Sequence, residues 1–214
     1  TAIEFMDRSP VRTACDYLNE SLPYQDAGAM LLITVDGPDA AQVEREYEAV
    51  GEFALESGAI EVYVADNHTT SERIWSLRRN VAEAFAIISP QQANEDLVVP
   101  MAQIPQLIAA MEDVGAAHGV CIPSYGHAGD GNMHTRILKK PEWSMEEWEE
   151  KMPVILRDLY DHTSALGGCV SGEHGIGHKR KSYMPMFVSE PYIEMLRSVK
   201  KALDPNHILN PGKI

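Results

Sequence analysis

The stretch SYGHAGDGNMHTRIL, Ser124–Leu138, has apolar flanks and a glycine-rich centre that carries two histidines. Asp-Gly favours a two-residue type I′ turn between antiparallel strands, so Asp130-Gly131 predicts a hairpin. With that loop, residues pair when their numbers sum to 261, a condition that His127 and His134 meet. Their Cβ atoms would then lie about 4.5–5.5 Å apart on one face of the sheet. The stretch therefore predicts a strand pair with two imidazoles spaced for one metal ion.

A second glycine- and histidine-rich stretch, SGEHGIGHKR, occupies Ser171–Arg180. In it, Glu173 and His174 place a carboxylate next to an imidazole, and the neighbouring glycines permit the close approach of a ligand. A catalytic divalent metal takes histidine and carboxylate ligands and keeps an open position. Taken singly, each histidine could equally be a surface or hydrogen-bonding residue, but the two stretches together predict a metal site.

Predicted strands and helices alternate along the chain. Residues 29–37 are predicted as a buried strand and residues 59–66 as a second strand, with a helix between them that begins after Asp39 and ends at Gly58. Further elements are expected as helices at 71–86, 104–119 and 145–166, and as strands at 95–100, 120–128 and 131–138. This order predicts an α+β fold, an antiparallel sheet with helices packed on one face, built from ferredoxin-like β-α-β units.

Domain boundaries are predicted from composition. Residues 1–28 contain Pro10 and Pro23 without a clear hydrophobic period, and predict a lead-in segment. Residues 29–214 contain no Gly/Ser-rich linker and predict one domain. Its last residues, 203–214, are rich in Pro, Asn and Gly and predict an extended tail.

Charge and composition exclude some classes of protein. With 32 Asp and Glu against 18 Lys and Arg, the chain has no basic face for nucleic acid. No apolar run is long enough for a transmembrane helix, and three cysteines without a CxxC motif favour a reducing, cytoplasmic compartment. An anionic substrate would need a local basic patch, and the candidate cations are few: Arg78, Arg79, Arg136, Lys179, Arg180 and Lys181.

The motifs GHAGDGNMH, SGEHGIG and LDPNHILNPGKI, in this order, are similar to the C-terminal domain of the FAD-linked oxidases, among them the D-2-hydroxy acid dehydrogenases. The similarity runs from about Met30 to the end. It implies the substrate- and metal-binding cap domain of an enzyme that oxidises a small D-2-hydroxy acid of the glycolate or D-lactate type. It also implies an N-terminal FAD-binding domain outside this sequence, an iron–sulfur subunit as electron acceptor, and a position peripheral to the inner face of a membrane.

The resemblance also implies roles for single residues. His127, His134 and Glu173 match the ligands of a divalent metal, zinc or manganese, and His174 matches the proposed general base. Because the sequence has no GxGxxG motif after a strand and no P-loop, we expect the chain alone to be inactive as an oxidoreductase.

Two further roles concern the substrate and the flavin. Arg78 falls where the family has an arginine that pairs with the substrate carboxylate, and Asn210 falls in a tail that is expected to face the flavin. The chain lacks the lysine that some members have before the EDxxVP segment. It also has Arg136 where some members have asparagine. The missing lysine argues against a substrate with a second, distal carboxylate, and Arg136 could either pair with a substrate or be a solvated residue at a strand end.

Two other functions fit the same residues. A metal-dependent hydrolase could use the same ligands with a bound water, and Asp130 or His174 as its base. A non-catalytic binding or assembly module could retain the histidines without using them.

Overall fold

A computed structural model describes residues 1–23 and 27–214. The chain forms two compact units where the sequence predicted one domain. Unit 1 comprises residues 1–90 and 123–129, and unit 2 comprises residues 91–122 and 130–214.

The described residues form five strands and seven helices. The strands are β1 (Ala2–Asp7), β2 (Ala29–Thr34), β3 (Gln92–Val98), β4 (Ser124–His127) and β5 (Asn132–Leu138). The helices are α1 (Arg8–Leu18), α2 (Ala40–Glu56), α3 (His68–Ile88), α4 (Ile104–His118), α5 (Met145–Ala165), α6 (Gly177–Arg180) and α7 (Glu190–Leu203). The strand pairs β1–β2, β1–β4 and β3–β5 are all antiparallel, and the predicted α+β fold is confirmed. Within the described residues, no helix is both long and apolar enough to cross a membrane.

Unit 1 is built around β1, which pairs with β2 on one side and with β4 on the other. The Asp7 side chain caps α1 by accepting a hydrogen bond from Ser9 N, and its other carboxylate oxygen accepts one from Ser124 N. Apolar residues of α1 and α3 are buried, among them Val11 and Phe85. These contacts hold the strand that ends at His127.

The predicted lead-in, residues 1–28, was wrong for the described part of that segment, because this part contains β1 and the buried helix α1. Residues 24–26 lie outside the described residues. Pro10 does not interrupt the helix because it lies in its first turn, where no intrahelical N–H donor is needed.

Two strand predictions in unit 1 also need correction. Residues 59–66 form no strand, and Ile60, Tyr63 and Val64 are more than half exposed. Their alternating pattern is that of a strand, but no neighbouring strand pairs with them. The strand β2 exists but pairs with β1 alone among the strands of unit 1, so it is partly exposed rather than buried.

The helix predictions held better, because their end signals act locally. Asp39 caps α2 by accepting from Ala41 N, and Gly58 follows its end with φ +96°. Gly119 ends α4 in the left-handed conformation, at φ 63°. The helix α5 begins at a capping box formed by Ser144 and Glu147.

In unit 2, β3 pairs with β5, and Asp96 lies opposite His134 in this pair. The helices α4 and α5 pack together and bury residues such as Met111 and Leu159. The strand pair therefore carries His134 on a rigid support.

The predicted two-residue turn is absent. The strand β4 ends at His127 and β5 begins at Asn132, with a short 3-10 turn at residues 128–130 between them. Gly131 has φ +75°, but Asp130 lacks the positive φ that a type I′ turn requires at both positions. The 261 pairing of His127 with His134 assumed that loop and stays a prediction, whereas the turn itself differs from the one predicted. The reason is tertiary: Gly131 O accepts from Val99 N, and a Cβ at residue 131 would lie 2.0 Å from Val99 O.

The C-terminal tail, predicted as extended, instead forms turns within unit 2. The Asp204 carboxylate accepts hydrogen bonds from the backbone N–H groups of Ile208 and Leu209. A hydrogen bond from the Lys200 ammonium is the main reason that the pKa of Asp204 is lowered to about 2. Lys181 Nζ donates to Gly212 O, which ties the last residues to unit 2.

Candidate functional site

A buried carboxylate organises the glycine-rich segment of unit 2. Asp96 on β3 has no exposed surface, and its Oδ2 accepts three hydrogen bonds from that segment. They come from Ser171 Oγ at 2.8 Å, Glu173 N at 3.0 Å and His174 N at 2.7 Å. The backbone that carries Glu173 and His174 is therefore fixed by one side chain of the neighbouring strand.

These hydrogen bonds also set the charge state of Asp96. Burial alone would raise its pKa, but the N–H groups of His174 and Glu173 and the hydroxyl of Ser171 outweigh burial, so the pKa is lowered. The carboxylate is thus ionised at neutral pH. Its other oxygen, Oδ1, is buried and has no hydrogen-bond partner among the described residues.

The side chains of Glu173, His134 and His174 lie close together in unit 2. Glu173 Oε1 is 3.5 Å from His134 Nε2 and 3.4 Å from His174 Nε2. The two imidazole rings stack, with centroids 5.3 Å apart and planes 11° from parallel. His134 is mostly buried, whereas Glu173 and His174 are about half exposed. The carboxylate oxygen therefore lies near both rings, on a side chain that is about half exposed.

This arrangement fits a divalent metal. Two ligands bound tetrahedrally at 2.0–2.2 Å lie roughly 3.4 Å apart, which matches the separation of His134 Nε2 and Glu173 Oε1. A second possible donor set also exists in unit 2, since ligand atoms of Asp96, His134 and His174 lie within 4.8 Å of one another.

Arg180 fixes the far end of the same segment. Its guanidinium is buried and donates to Glu95 Oε2 at 3.1 Å, Gly175 O at 3.1 Å and Asn94 O at 3.2 Å. At Gly172, a Cβ would lie 2.6 Å from the Asn132 side chain, so any other residue there would have to displace that buried side chain. The segment is thus held at both ends by groups of β3.

A second buried carboxylate organises the candidate residues of unit 1. Glu4 Oε1 lies 2.6 Å from His127 Nδ1. Glu4 Oε2 accepts from Arg78 Nε at 2.8 Å and lies 2.7 Å from Arg78 Nη2. The guanidinium also lies over the Tyr125 ring, 5.0 Å from its centroid. Arg78 and His127 are therefore joined through one carboxylate.

The predicted site residues are accounted for as follows. Unit 2 brings together His134, Glu173 and His174, and unit 1 brings together His127 and Arg78. Asn210 lies in the tail, in the left-handed conformation. The other cations named as substrate candidates all have partners: Arg79 with Glu72, Arg136 with Gln92 and Asn94, Lys179 and Arg180 with Glu95, and Lys181 with Gly212 O.

The sequence did not single out Glu4 or Asp96. A signal was present for Asp96, because Glu95 and Asp96 are consecutive acids within a short apolar strand, where an unpaired charge is costly. Glu4 shares a strand face with the buried Met6, but that strand had been assigned to the lead-in. Both residues are understood only once their partners are known.

Comparison with known proteins identifies a family. Residues 1–214 match the sequence model of the family described as FAD linked oxidases, C-terminal domain. The match includes residue 1, so the similarity predicted from about Met30 extends further towards the N-terminus.

Curated relatives include two enzyme types. The chain is 32% identical to the glycolate oxidase subunit GlcD of Bacillus subtilis, over 99% of this chain and 44% of that protein. It is 33% identical to a D-lactate dehydrogenase of Anaerostipes hadrus, over 100% of this chain and 46% of that protein. The chain thus spans about half the length of the curated relatives it matches.

A solved structure shares the fold. p-Cresol methylhydroxylase with substrate bound matches with a TM-score of 0.65 at 13% identity, over 99% of this chain and 46% of that chain. At this identity the likeness concerns the fold alone.

Proposed function

The chain belongs to the family of FAD-linked oxidase C-terminal domains, and from this we propose that it is the substrate- and metal-binding part of a flavin-dependent dehydrogenase or oxidase. The proposed substrate is a small D-2-hydroxy acid of the glycolate or D-lactate type, as the names of the relatives suggest. The observation that carries the proposal is the placement of Glu173 Oε1 at 3.4–3.5 Å from Nε2 of both His134 and His174.

The proposed metal ligands are His134 and Glu173 of unit 2, with His127 as the third by resemblance. Two imidazoles and one carboxylate suit zinc or manganese. A divalent ion bound there would polarise the hydroxyl and carboxylate oxygens of the substrate. The participation of His127, which belongs to unit 1, is a prediction from the family motif.

His174 is the proposed general base. Its backbone N–H is held by Asp96, while its ring is half exposed and can meet a substrate. Imidazole is the side chain most often used for proton transfer. His174 Nε2 would take the proton of the substrate hydroxyl as the C2–H bond is broken.

Arg78 is the proposed anchor of the substrate carboxylate. A guanidinium has five N–H donors, and Glu4 engages those on Nε and Nη2. The Nη1 donors take no part in that contact with Glu4 and would bind the substrate carboxylate. The pairing with Glu4 also fixes the guanidinium plane, which favours oriented recognition of a carboxylate.

FAD is the cofactor that the family implies, and its isoalloxazine ring would supply the hydride acceptor. We propose that it is bound mainly by an FAD-binding domain and that Asn210 contributes from the tail. An iron–sulfur subunit as electron acceptor, and a cytoplasmic location beside a membrane, are further predictions from the resemblance.

Zinc binding tests the ligand set. We expect the purified chain to bind one zinc ion, and His134→Ala to lower the affinity at least about 100-fold, because it removes a ligand nitrogen. The variant His174→Ala should retain zinc. The control is His118→Ala, since His118 pairs with Asp158 elsewhere in unit 2. Unchanged zinc affinity in His134→Ala would contradict the proposed site, and equal losses in His134→Ala and His174→Ala would favour the donor set that includes Asp96.

Flavin reduction tests the reaction. The assay uses a complex of this chain with the FAD-binding half of a D-lactate dehydrogenase. Anaerobic addition of D-lactate or glycolate to this complex should bleach the flavin absorbance. His174→Ala should slow bleaching by about 10²–10⁴-fold while zinc remains bound. Zinc binding without bleaching by any D-2-hydroxy acid would contradict the oxidoreductase and would favour a metal-dependent hydrolase.

A further inference from the structure

The position of Glu4 in unit 1 carries an inference that goes beyond the ligand set. Glu4 lies on the central strand β1, directly opposite His127 of β4. Its side chain is only 7% exposed. A buried carboxylate is costly unless each oxygen has a partner, so the partners of Glu4 indicate what it is for.

The two oxygens of Glu4 serve two different groups. Oε2 is bound by the Arg78 guanidinium, a cation that has only donors and pairs with a carboxylate as its counter-ion. An ionised carboxylate has no proton to donate, so the hydrogen bond at 2.6 Å must run from Nδ1–H of His127 to Oε1. In a neutral imidazole, a proton on Nδ1 leaves the lone pair on Nε2.

This is the arrangement that a metal-binding histidine needs. Such histidines commonly donate the second ring N–H to a carboxylate, which selects the tautomer, orients the ring and makes the ligand nitrogen more basic. The same carboxylate fixes Arg78, the proposed anchor of the substrate. One residue therefore positions both a proposed metal ligand and a proposed substrate-binding cation.

We propose that Glu4 is a positioning residue that holds His127 as the Nδ1–H tautomer, with Nε2 as the metal-binding nitrogen, and orients Arg78. This inference rests on the proposed function for the role of the metal, but the tautomer itself is a property of the metal-free chain. A second glutamate–arginine pair of unit 1, Glu20 with Arg73, has the same chemistry without a histidine and provides a matched control.

Zinc affinity is the first measurement, made on the purified 214-residue chain by competition with a chelator. Glu4→Ala should weaken zinc binding by about 10–100-fold. Glu4→Gln should restore part of the loss, because its amide oxygen can accept from Nδ1–H. Glu20→Gln should bind zinc as tightly as the wild type. Thermal melts of the metal-free variants show which of them are folded. If Glu4→Ala does not fold, the double variant Glu4→Gln/Arg78→Gln takes its place in the test, because it replaces the buried ion pair by a neutral pair.

The tautomer of His127 is the second measurement, read from long-range ¹H–¹⁵N spectra of the metal-free, ¹⁵N-histidine-labelled chain. We expect Nδ1–H in the wild type and in Glu20→Gln, and a shift towards Nε2–H in Glu4→Ala. Unchanged zinc affinity and an unchanged tautomer in Glu4→Ala would overturn the inference while leaving the proposed function intact. If the wild type binds no zinc, the metal proposal fails, and the tautomer measurement alone tests the role of Glu4. Loss of the Nδ1–H tautomer in Glu4→Ala would then support that role, and persistence of this tautomer would overturn it.

Discussion

The two units each place a buried carboxylate next to candidate site residues, but the two carboxylates act on different parts of the chain. Glu4 in unit 1 binds side chains, the imidazole of His127 and the guanidinium of Arg78. Asp96 in unit 2 binds mainly backbone, the N–H groups of Glu173 and His174. The first fixes how two side chains point, and the second fixes the path of the main chain that carries two others.

This difference determines whether a second substitution can offset the loss of stability that follows when the carboxylate is removed. The side-chain partners of Glu4 can themselves be replaced, so the loss of its charge can be balanced by a second substitution. The backbone donors held by Asp96 are present for every residue except proline at positions 173 and 174. Removing Asp96 therefore leaves partly buried donors that no ordinary side-chain substitution removes.

The largest expected effect is that of Asp96→Ala. It leaves two backbone N–H groups and the Ser171 hydroxyl without their acceptor, and should lower the free energy of unfolding by roughly 3–5 kcal/mol. Urea denaturation would measure the change. Asp158→Asn is the control, because Asp158 is nearly half exposed and pairs with one side chain, His118. A loss below about 1 kcal/mol in Asp96→Ala would break the proposed contrast with Glu4.

A somewhat smaller effect is expected for Glu4→Ala, and it should be partly reversible. The variant leaves the mostly buried Arg78 without its anion, which should cost about 2–4 kcal/mol. The variant Glu4→Gln/Arg78→Gln removes both charges and should recover at least about 1 kcal/mol relative to Glu4→Ala. Chemical denaturation of the single and double variants measures the coupling. If the double variant is less stable than both single ones, side-chain pairing is not the main role of Glu4.

The smallest of the three effects concerns pH. Because the folded-state pKa of Asp96 lies below its ordinary value of 3.8, ionised Asp96 stabilises the fold at higher pH. This stabilisation is fully present above the ordinary value and is lost as the pH falls through the lowered folded value. The free energy of unfolding should therefore fall less between about pH 5 and about pH 2 in Asp96→Asn than in the wild type. If the free energy of unfolding falls equally with pH in the two proteins over this range, Asp96 is not stabilised in its ionised form by the fold.

Sequence patterns succeeded where a few neighbouring residues decide the structure. The helix ends at Asp39 and Gly119 and the helix start at residue 145 were predicted correctly, since caps act within one turn of chain. The pattern of residues 59–66 failed because a strand also needs a partner, and the alternation of apolar residues does not supply one. The Asp130-Gly131 turn failed for a similar reason, since the contacts of Gly131 with Val99 determine its geometry.

The amino-acid sequence by itself determined the α+β class, the family motifs and the candidate residues His127, His134, Glu173, His174 and Arg78. These depend on residue type and short spacing, which are properties of the chain. Only the tertiary structure revealed that Glu4 and Asp96 support those residues, across 123 positions to His127 and 78 positions to His174. A buried carboxylate can be interpreted only through its hydrogen-bond partners, and folding alone decides which distant groups become those partners.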